Sequence, residues 1–392
     1  MSDMDSYDVV VIGGGIIGSF TALKLIKSGR KTLLIDQFPI PHSNGSSKGH
    51  SRGVEQITGF PETETFKQMK DDSLNSWHRL QQHTKKTIVI PHKGLHIGSP
   101  NENYMTNVLK SAKKYPDYYE RMFKSNSELR QQFPQINIAD YYVGLLDDTA
   151  VRLLADEILK YLLAMFVDYG GIVHTGTVSH ITTGDIVTIS TQNNQFTSKK
   201  IVIATGPWSN CILKDLGLEV YLETQHVMLG YWKIKQSELT LGKDFSFPSV
   251  MEWSDRDDTV LWSNFTTEHG PCMKIAHVGE KNVDPNKFSS LEDKDLKFKI
   301  EAHAKAKFNH LEELPLFMEN CIYSHSQDRK FIIGHHPKCS NIILGVGMSG
   351  KGFGLSPAIS DVICDLICDR SPKYDISEFR VNRFSKGDLC KM

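Results

Sequence analysis

A glycine-rich loop near the start of the chain has the spacing of a phosphate-binding site. Gly13, Gly15 and Gly18 follow the pattern G-x-G-x-x-G, in which the first glycine makes a tight turn and the second lets the backbone approach a pyrophosphate. The third glycine permits close packing of a helix on a strand, and the helix N-terminus offers free N–H groups and partial positive charge. Asp36 lies about 20 residues farther on, where an acidic side chain can bind ribose hydroxyls. The pattern predicts a bound dinucleotide, and both NAD and FAD are compatible with it.

The segments around this loop predict a strand–helix–strand unit. Residues 8–12 form a β-branched run typical of a buried parallel strand, residues 16–28 have helical apolar spacing, and residues 31–36 predict the next strand. The same order of strand, glycine loop and helix recurs at residues 341–369, near the end of the chain. We therefore expect an α/β fold in which one nucleotide-binding sheet is interrupted by a second, more antiparallel domain.

Other elements follow from the same periodicities. Helices are expected at residues 65–82, within 103–132 and at 152–169. Strands are expected within residues 86–100, at 172–178, 186–191, 200–204, 321–324 and 330–334, and as short runs from 220 to 277. Residues 39–53 are rich in Gly, Ser and His and predict a loop.

Composition and charge exclude several classes of protein. The chain of 392 residues, at roughly 150 residues per domain, predicts two domains. Its hydrophobic fraction of 40% and charged fraction of 23% are typical of a globular protein in water. A net charge of −1 leaves no basic surface for nucleic acid or for an anionic membrane. The acidic start predicts no secretory signal, and the longest apolar cluster, residues 161–167, is shorter than the ~20 residues that span a bilayer.

The cysteines and the last three residues bear on the compartment. The seven cysteines show neither a C-x-x-C pair nor zinc-ligand spacing, so we expect reduced thiols inside a cell and no metal site. The tripeptide Cys390-Lys391-Met392 has the small–basic–aliphatic form of a peroxisomal address. An arbitrary tail is the alternative interpretation of the same three residues.

Several stretches occur in the order found in one family of flavoproteins. They are residues 9–18, 41–52, 202–208, Lys274, 321–324, 347–353 and 375–384. On these stretches the chain resembles the monomeric sarcosine oxidase and peroxisomal sarcosine/L-pipecolate oxidase family, within the D-amino-acid-oxidase-like flavoproteins. The resemblance implies a Rossmann-like FAD-binding domain of the glutathione-reductase type with an interleaved antiparallel substrate domain. The implied domain bounds are 5–88, 149–218 and 324–386 for FAD binding, 89–148 and 219–323 for substrate, and 387–392 for a targeting tail.

The resemblance also implies which residues contact FAD. They are Gly13, Gly15, Gly18, Asp36, Ser46, Ser47, Arg52, Val178, Gly206, Trp208, Cys321, Gly350 and Gly352. Cys321 falls where the family attaches FAD covalently through a thioether, and a buried structural thiol is the alternative. The helix after the C-terminal glycine loop would direct its N-terminus at the flavin, where partial positive charge favours the anionic reduced form.

The resemblance implies catalytic roles for three residues. Lys274 occupies the position of the family's lysine beside flavin N5, where a cation stabilises the superoxide-like charge that forms as oxygen is reduced. A surface lysine is the alternative, although strand alternation places Lys274 opposite its apolar neighbours. Arg52 matches an arginine of the phosphate-and-flavin loop, for which a solvated cation is the alternative. His277 lies near an active-site histidine of the family, but its spacing from Lys274 is one residue short.

The chain departs from the family where the substrate carboxylate would be bound. The two cationic positions of the family's carboxylate clamp hold Glu55 and Gly354 here, which abolishes a bidentate contact. Lys48 and Lys351 stand where the family usually has histidine, and either could supply a cation from another direction. We expect weak activity on sarcosine and L-pipecolate unless one of them does so. Bulkier N-substituted amino acids, or amines with a second positive group that meets Glu55, are expected to be better substrates.

Taken together, the residues and the resemblance predict an FAD-dependent amine oxidase. A neutral secondary amine or N-substituted amino acid would be oxidised to an imine that water hydrolyses, and oxygen would be reduced to hydrogen peroxide. The expected partners are the small amine, oxygen and a peroxisomal import receptor, which implies a peroxisomal location. The alternatives are a flavin dehydrogenase with another acceptor, a flavin-binding homologue without this activity and, more remotely, an NAD-dependent dehydrogenase.

Overall fold

Two eight-stranded sheets and a small third sheet form the framework of the protein. The computed structural model describes residues 6–60, 62–218, 220–239, 247–254 and 259–384. The strands are β1 (Ser6–Ile12), β2 (Thr32–Asp36), β3 (Ser51–Val54), β4 (Val89–Pro91), β5 (Gly94–Gly98), β6 (Tyr119–Phe123), β7 (Val143–Asp147), β8 (Val151–Leu154), β9 (Ile172–Thr175), β10 (Val178–Thr182), β11 (Val187–Thr191), β12 (Gln195–Ile203), β13 (Glu223–Lys233), β14 (Ser249–Ser254), β15 (Thr259–Thr266), β16 (Cys272–Asn282), β17 (Phe317–His325), β18 (Ile332–His336) and β19 (Cys339–Val346).

The helices pack around these sheets. They are α1 (Ile16–Lys27), α2 (Glu64–Thr84), α3 (Asn103–Lys114), α4 (Asn126–Gln132), α5 (Ala155–Asp168), α6 (Ser209–Asp215), α7 (Gln236–Leu239), α8 (Lys294–Lys307) and α9 (Gly352–Ile367). Two long helices begin at side chains that cap their free N–H groups: Thr63 Oγ1 accepts a hydrogen bond from Phe66 N at the start of α2, and Asp293 Oδ1 accepts one from Leu296 N at the start of α8.

The first sheet contains the strand–glycine loop–helix unit predicted from the sequence. Its order is β10-β11-β12-β1-β2-β9, with β19 beside β12 and β18 beside β19. Strands β1, β2, β9, β12 and β19 are parallel to one another. Both faces of this sheet are buried, because apolar side chains of β1 and β2 alternate between two separate hydrophobic clusters. The carboxyl ends of these parallel strands meet at one edge, where ligands of open α/β sheets bind.

The second sheet is mainly antiparallel. Its order is β17-β13-β16-β15-β14-β5-β7-β6. One face packs on α8 through apolar residues such as Met273, Ile275 and Ile300. The opposite face carries the buried Lys274, whose ammonium approaches the backbone of β3. The short sheet β3-β8-β4 thus lies next to the second sheet.

The predicted fold class is confirmed: the chain is α/β, with a parallel nucleotide-type sheet and an antiparallel second sheet. Strands of the first sheet come from residues 6–36, 172–203 and 332–346, and strands of the second come from 94–147, 223–282 and 317–325. The predicted domain bounds, which divide the chain in this interleaved way, stay a prediction. The tail at 387–392 lies outside the described residues.

Three elements differ from the predictions. The helix expected at 152–169 begins only at Ala155, because residues 151–154 form β8 between β3 and β4. The loop expected at 39–53 ends in β3, and the helical region expected at 103–132 contains the strand β6. In each case the backbone pairs with a strand distant in sequence, and such pairing overrides local propensity.

No helix in the described ranges is long and apolar enough to cross a membrane. Within the same ranges, no group of three or more His, Cys, Asp or Glu side chains is arranged to hold a metal ion.

Candidate active site

The glycine loop between β1 and α1 is shaped by steric necessity. Gly13 has a φ of +107°, and a Cβ atom there would lie 2.3 Å from the carbonyl oxygen of Ala204 at the end of β12. A Cβ atom at Gly18 would lie 1.7 Å from the carbonyl oxygen of Gly13. Neither position accepts a side chain, so the two glycines let the helix start directly against the strand. Gly18 therefore acts through packing rather than through contact with a ligand.

Asp36 closes the same loop from the end of β2. Its Oδ2 accepts a hydrogen bond of 2.6 Å from Gly14 N, and its Oδ1 accepts one of 2.9 Å from Phe38 N. Ser47 holds the start of α1 in a similar way, because its Oγ accepts a hydrogen bond of 3.0 Å from Ile16 N. These contacts fix the backbone of the loop at the edge of the parallel sheet.

A long cavity of about 360 Å³ runs from the glycine loop to the start of α9. The cavity brings together the residues predicted to bind FAD, with the exception of Gly18 and Cys321. Those that line it are Gly13, Gly15, Asp36, Ser46, Ser47, Arg52, Val178, Gly206, Trp208, Gly350 and Gly352. A Cβ atom at Gly206 would meet nothing within 4 Å, so the glycine leaves its side of the cavity open. A glycine-lined cavity between two helix N-termini fits a dinucleotide cofactor.

Arg52 organises the loop that forms one wall of this cavity. Its guanidinium donates hydrogen bonds to the carbonyl oxygens of Ser51 at 2.7 Å and Ser46 at 2.9 Å, and a further one to Lys48. The guanidinium carbon also lies 5.7 Å from the centroid of the Phe353 ring, in the first turn of α9. Arg52 thus joins the loop to α9 and keeps a positive charge at the cavity.

Lys274 lies in the second sheet but faces the same region. Its side chain is only 6% exposed, and its ammonium lies 3.5 Å from the carbonyl oxygen of Ser51. Burial lowers the pKa of Lys274, and the neighbouring Arg52 lowers it further. The carboxylates of Glu268 and Glu319 act in the opposite direction and raise the pKa. A buried cation beside Arg52 is an arrangement that stabilises negative charge developing nearby.

Tyr231 and Glu319 complete the surroundings of Lys274. The Lys274 ammonium lies 5.4 Å from the centroid of the Tyr231 ring, and the two residues are paired across β13 and β16. The Tyr231 hydroxyl donates a hydrogen bond of 3.1 Å to Glu319 Oε1. Burial and the Glu319 charge both raise the pKa of Tyr231, which keeps the hydroxyl protonated. The sequence reasoning missed both residues, although strand alternation backward from Cys321 would have placed Glu319 on the same face.

Cys321 is a buried free thiol on β17. The strand period of two places Glu319, Cys321 and Tyr323 on one face, and Tyr323 lines the cavity. The Cys321 thiol is also close enough to Lys274 to influence the pKa of the lysine. The thiol is therefore on the same strand face as a residue of the cavity wall and within electrostatic range of the buried lysine.

The structure does not bring His277 to this region. It is the third residue after Lys274 along β16, an odd offset, so the two side chains project from opposite faces of the strand. His277 Nδ1 lies 2.8 Å from the carbonyl oxygen of Val278, and His277 interacts electrostatically with His303 of α8. The one-residue difference in spacing noted in the sequence accounts for this placement.

The four positions that depart from the family pattern are spread over the site. Glu55, just after β3, is partly buried, and burial followed by the charge of Asp147 raises its pKa to about 7. A Cβ atom at Gly354 would lie 3.0 Å from a methyl carbon of Val54, so this position is close-packed.

Lys351 and Lys48 both make contacts of their own in the structure. Lys351 Nζ donates a hydrogen bond of 3.0 Å to the carbonyl oxygen of Arg329, and it lies 5.0 Å from the centroid of the Phe60 ring. Burial lowers the pKa of Lys351 to about 8. Lys48 Nζ lies 5.8 Å from the centroid of the Phe288 ring. That either lysine supplies a cation to the substrate stays a prediction.

Comparisons with known proteins agree with this geometry. A family model described as FAD dependent oxidoreductase (DAO) matches residues 8–366. The chain is 31% identical over 386 residues to peroxisomal sarcosine oxidase of Homo sapiens, with 97% of each chain covered. It is 24% identical over 387 residues to monomeric sarcosine oxidase of Bacillus sp. (strain B-0618), with 96% of each chain covered.

The fold is also that of a solved amino acid oxidase. The open form of NikD, described as an unusual amino acid oxidase essential for nikkomycin biosynthesis, superposes with a TM-score of 0.84. Its sequence identity is 18%, and the match covers 96% of this chain and 97% of NikD. At this level of identity the similarity shows the shared fold.

Proposed function

Because this chain belongs to the DAO family of FAD-dependent oxidoreductases, we propose that it oxidises the C–N bond of a secondary amine or N-substituted amino acid with oxygen as electron acceptor. The main observation in support of this proposal is the position of Lys274. It is a buried cation beside Arg52 and the cavity wall, and it is contributed by the second sheet rather than by the cofactor-binding sheet. The sarcosine oxidases among the relatives support the choice of substrate class.

The overall reaction balances as a two-electron oxidation. The carbon next to nitrogen loses a hydride and the nitrogen loses a proton, which leaves an imine that water hydrolyses to a carbonyl compound and an amine. FAD, when bound, accepts the hydride and passes the two electrons to oxygen, which takes up two protons and becomes hydrogen peroxide. The protein positions the groups and supplies their charges.

The residues of the cavity would hold FAD. The loop from Gly13 to Gly18 and the N-terminus of α1 suit the pyrophosphate, because they present backbone N–H groups and little side-chain bulk. The N-terminus of α9, with Gly350, Gly352 and Phe353 at the cavity, suits the flavin end. Arg52 fixes the loop between these two ends.

Lys274 and Arg52 would then supply positive charge that stabilises the negative charge formed in the reaction. Negative charge that forms as oxygen is reduced is stabilised by a cation in a site with little water, where electrostatic interactions are strong. Glu319 and Glu268 favour the charged form of Lys274 against the effect of burial, since both raise its pKa.

We further propose that Cys321 bonds FAD covalently through a thioether. The S–H bond of the thiol and one C–H bond of the flavin would be lost, and the two electrons released would pass through the flavin to oxygen. Support comes from the place of Cys321 on the face of β17 that also carries Tyr323, a residue of the cavity wall. A buried thiol two residues from the cavity wall has a short path to the flavin end of the cofactor.

A peroxisomal location is proposed on two grounds. The human and mouse relatives are peroxisomal sarcosine oxidases, and peroxide is a product that this organelle contains. The import receptor would recognise Cys390-Lys391-Met392, which lies outside the described residues.

The test begins with the purified protein and its absorbance spectrum. A flavin band that bleaches without oxygen when sarcosine or another N-methyl amine is added, and that returns with formation of peroxide in air, supports the proposed function. A band that bleaches but returns slowly in air identifies a dehydrogenase with another acceptor. A flavin that no amine bleaches overturns the proposal.

A further inference from the structure

Two acceptor oxygens converge above Gly53 in β3. A Cβ atom at Gly53 would lie 2.8 Å from Glu55 Oε1 and 3.2 Å from Asn264 Oδ1. The two oxygens therefore lie together beside the Gly53 Cα, where a side chain at position 53 would collide with the Glu55 carboxylate. Gly53 itself is exposed and its neighbours are partly exposed, so a small group can reach the two oxygens from solvent.

In the part of the chain that the structure describes, no cation is paired with the Glu55 carboxylate alone. Among the described residues, Lys70 is the one cation that acts on its pKa, and the Lys70 ammonium lies 2.9 Å and 3.0 Å from the two carboxylate oxygens of Glu62. Asp147, the other charged neighbour, is itself a carboxylate. A partly buried carboxylate in this position is stabilised when a cation binds to it.

The side-chain oxygens of Glu55 and Asn264 lie near Lys274 in the proposed active site. Asn264 on β15 is directly opposite Lys274 on β16 in the strand register. Side chains paired in this way have Cβ atoms about 4.5–5.5 Å apart and project from the same face. Gly53 follows Arg52, and Tyr323 of the cavity wall interacts electrostatically with Glu55. A substrate beside Lys274 can therefore extend one arm to the Glu55 and Asn264 oxygens beside Gly53.

We propose that Glu55 and Asn264 bind a positively charged group of the substrate, at a distance from the C–N bond that is oxidised. The substrate class is then an N-alkyl amine with a second ammonium group, such as an N-alkyl diamine or a basic N-substituted amino acid. This inference rests on the proposed function and specifies its substrate. The Glu55 carboxylate is a charged hydrogen-bond acceptor and the Asn264 amide oxygen is a neutral one. Together they suit the N–H donors of an alkyl ammonium group.

The binding depends on pH through Glu55. Its pKa is about 7, and the groups that face it are Asp147 from β7, Lys70 from α2 and Tyr323 from β17. The carboxylate gains its charge as pH rises through that value. The preference for an amine with a second ammonium group over an amine without one therefore increases between about pH 6 and pH 8.

The test compares two substrates of equal length. N-methyl-1,4-diaminobutane carries a terminal ammonium where N-methylpentylamine carries a methyl group. Flavin bleaching without oxygen gives the rate for each, and diamines with three and five carbons between the nitrogens locate the best length. Calorimetric titration of the holoenzyme after reduction with dithionite gives the affinity for each amine, because reduced flavin cannot oxidise it.

We expect the diamine to be preferred at least about tenfold in both measurements. Glu55→Gln should reduce that preference to near unity, and Gly53→Ala, which would displace the Glu55 carboxylate without changing charge, should reduce it as well. Glu128→Gln, which removes an exposed carboxylate on α4, is the control and should leave the preference intact.

The outcomes separate this inference from the function on which it rests. If sarcosine and N-methylpentylamine bleach the flavin as well as the diamine does, the inference is overturned and the proposed function stands. A preference for the diamine that survives Glu55→Gln also overturns it. If no amine bleaches the flavin or binds the reduced protein, both proposals fail.

Discussion

The Tyr231 hydroxyl donates a hydrogen bond of 3.1 Å to Glu319, and the ring of the same tyrosine lies 5.4 Å from the Lys274 ammonium. The tyrosine thus contacts both the buried cation and a carboxylate that favours its charge. All three residues are on the face of the second sheet that approaches β3, and their arrangement gives the first two predictions.

Lys274→Met should slow reoxidation of the reduced flavin by air. The change preserves most of the volume and removes the charge that would stabilise reduced oxygen, so a loss of roughly 10²–10³-fold is expected. Stopped-flow absorbance measures this rate, and reduction by substrate should change less. Lys297→Met, at an exposed position on α8, is the control. An unchanged reoxidation rate would show that Lys274 has no such role.

Glu319→Gln should move the pH profile of reoxidation to lower pH. Lys274 is active as a cation, so the rate is high below its pKa and falls as pH rises through that value. Glu319 raises this pKa, and its removal lowers it. The fall should therefore begin at lower pH in the variant. Tyr231→Phe, which keeps the Glu319 charge, should shift the profile less, and identical profiles for Glu319→Gln and the natural protein would contradict the assignment.

Cys321→Ser should release the flavin on acid precipitation. In the natural protein the yellow colour is expected to stay with the pellet, because a thioether survives denaturation. Cys364→Ser is a matched control, since Cys364 is also a buried thiol but lies on α9 with its sulfur 3.9 Å from the carbonyl oxygen of Thr21. Flavin that appears in the supernatant from the natural protein would exclude covalent attachment.

Glu55→Arg combined with Gly354→Lys should raise kcat/KM for sarcosine. Two cations would then meet the substrate carboxylate, where the natural chain has a carboxylate and no side chain. The gain should be ~1.5–3 kcal/mol, about tenfold or more. Gly354→Ala alone adds the contact with Val54 without adding a charge. Its effect on kcat/KM for sarcosine therefore shows the contribution of packing without that of electrostatics. If the natural protein already oxidises sarcosine as fast as the double variant, other residues bind the carboxylate.

Deletion of residues 390–392 should move the protein from peroxisomes to the cytosol without affecting its folding. Chain ends are usually exposed and contribute little to stability. Fluorescence microscopy of a fusion that leaves the C-terminus free measures the distribution, and an equal Tm for the two forms is the control. The same distribution before and after deletion would refute the address.

The sequence was most informative where a single local unit decides the structure. The loop with Gly13, Gly15 and Gly18, and the strand and helix that flank it, follow from local periodicity and from the lack of room for side chains. Val178 and Trp208 are separated from that loop by more than 150 residues of sequence, and their place in the cavity was predicted only through family resemblance.

The features that local sequence patterns did not predict depend on the register between strands that are distant in sequence. Residues 151–154 have a helical pattern yet pair with β3 and β4, which no local periodicity indicates. Tyr231 meets Lys274 through the pairing of β13 with β16, a relationship fixed only when the sheet forms. His277 could have been placed from the sequence alone, since an odd spacing from Lys274 on one strand directs it to the other face.

The position of β1 in the first sheet has a consequence for biosynthesis. β1, the first described strand, pairs on one side with β2 and on the other with β12, and β12 in turn pairs with β19, which ends at Val346. The nucleotide-binding sheet is therefore complete only when nearly the whole chain has left the ribosome. Until then an apolar strand edge is exposed, and partly made chains with such edges aggregate readily and require chaperones.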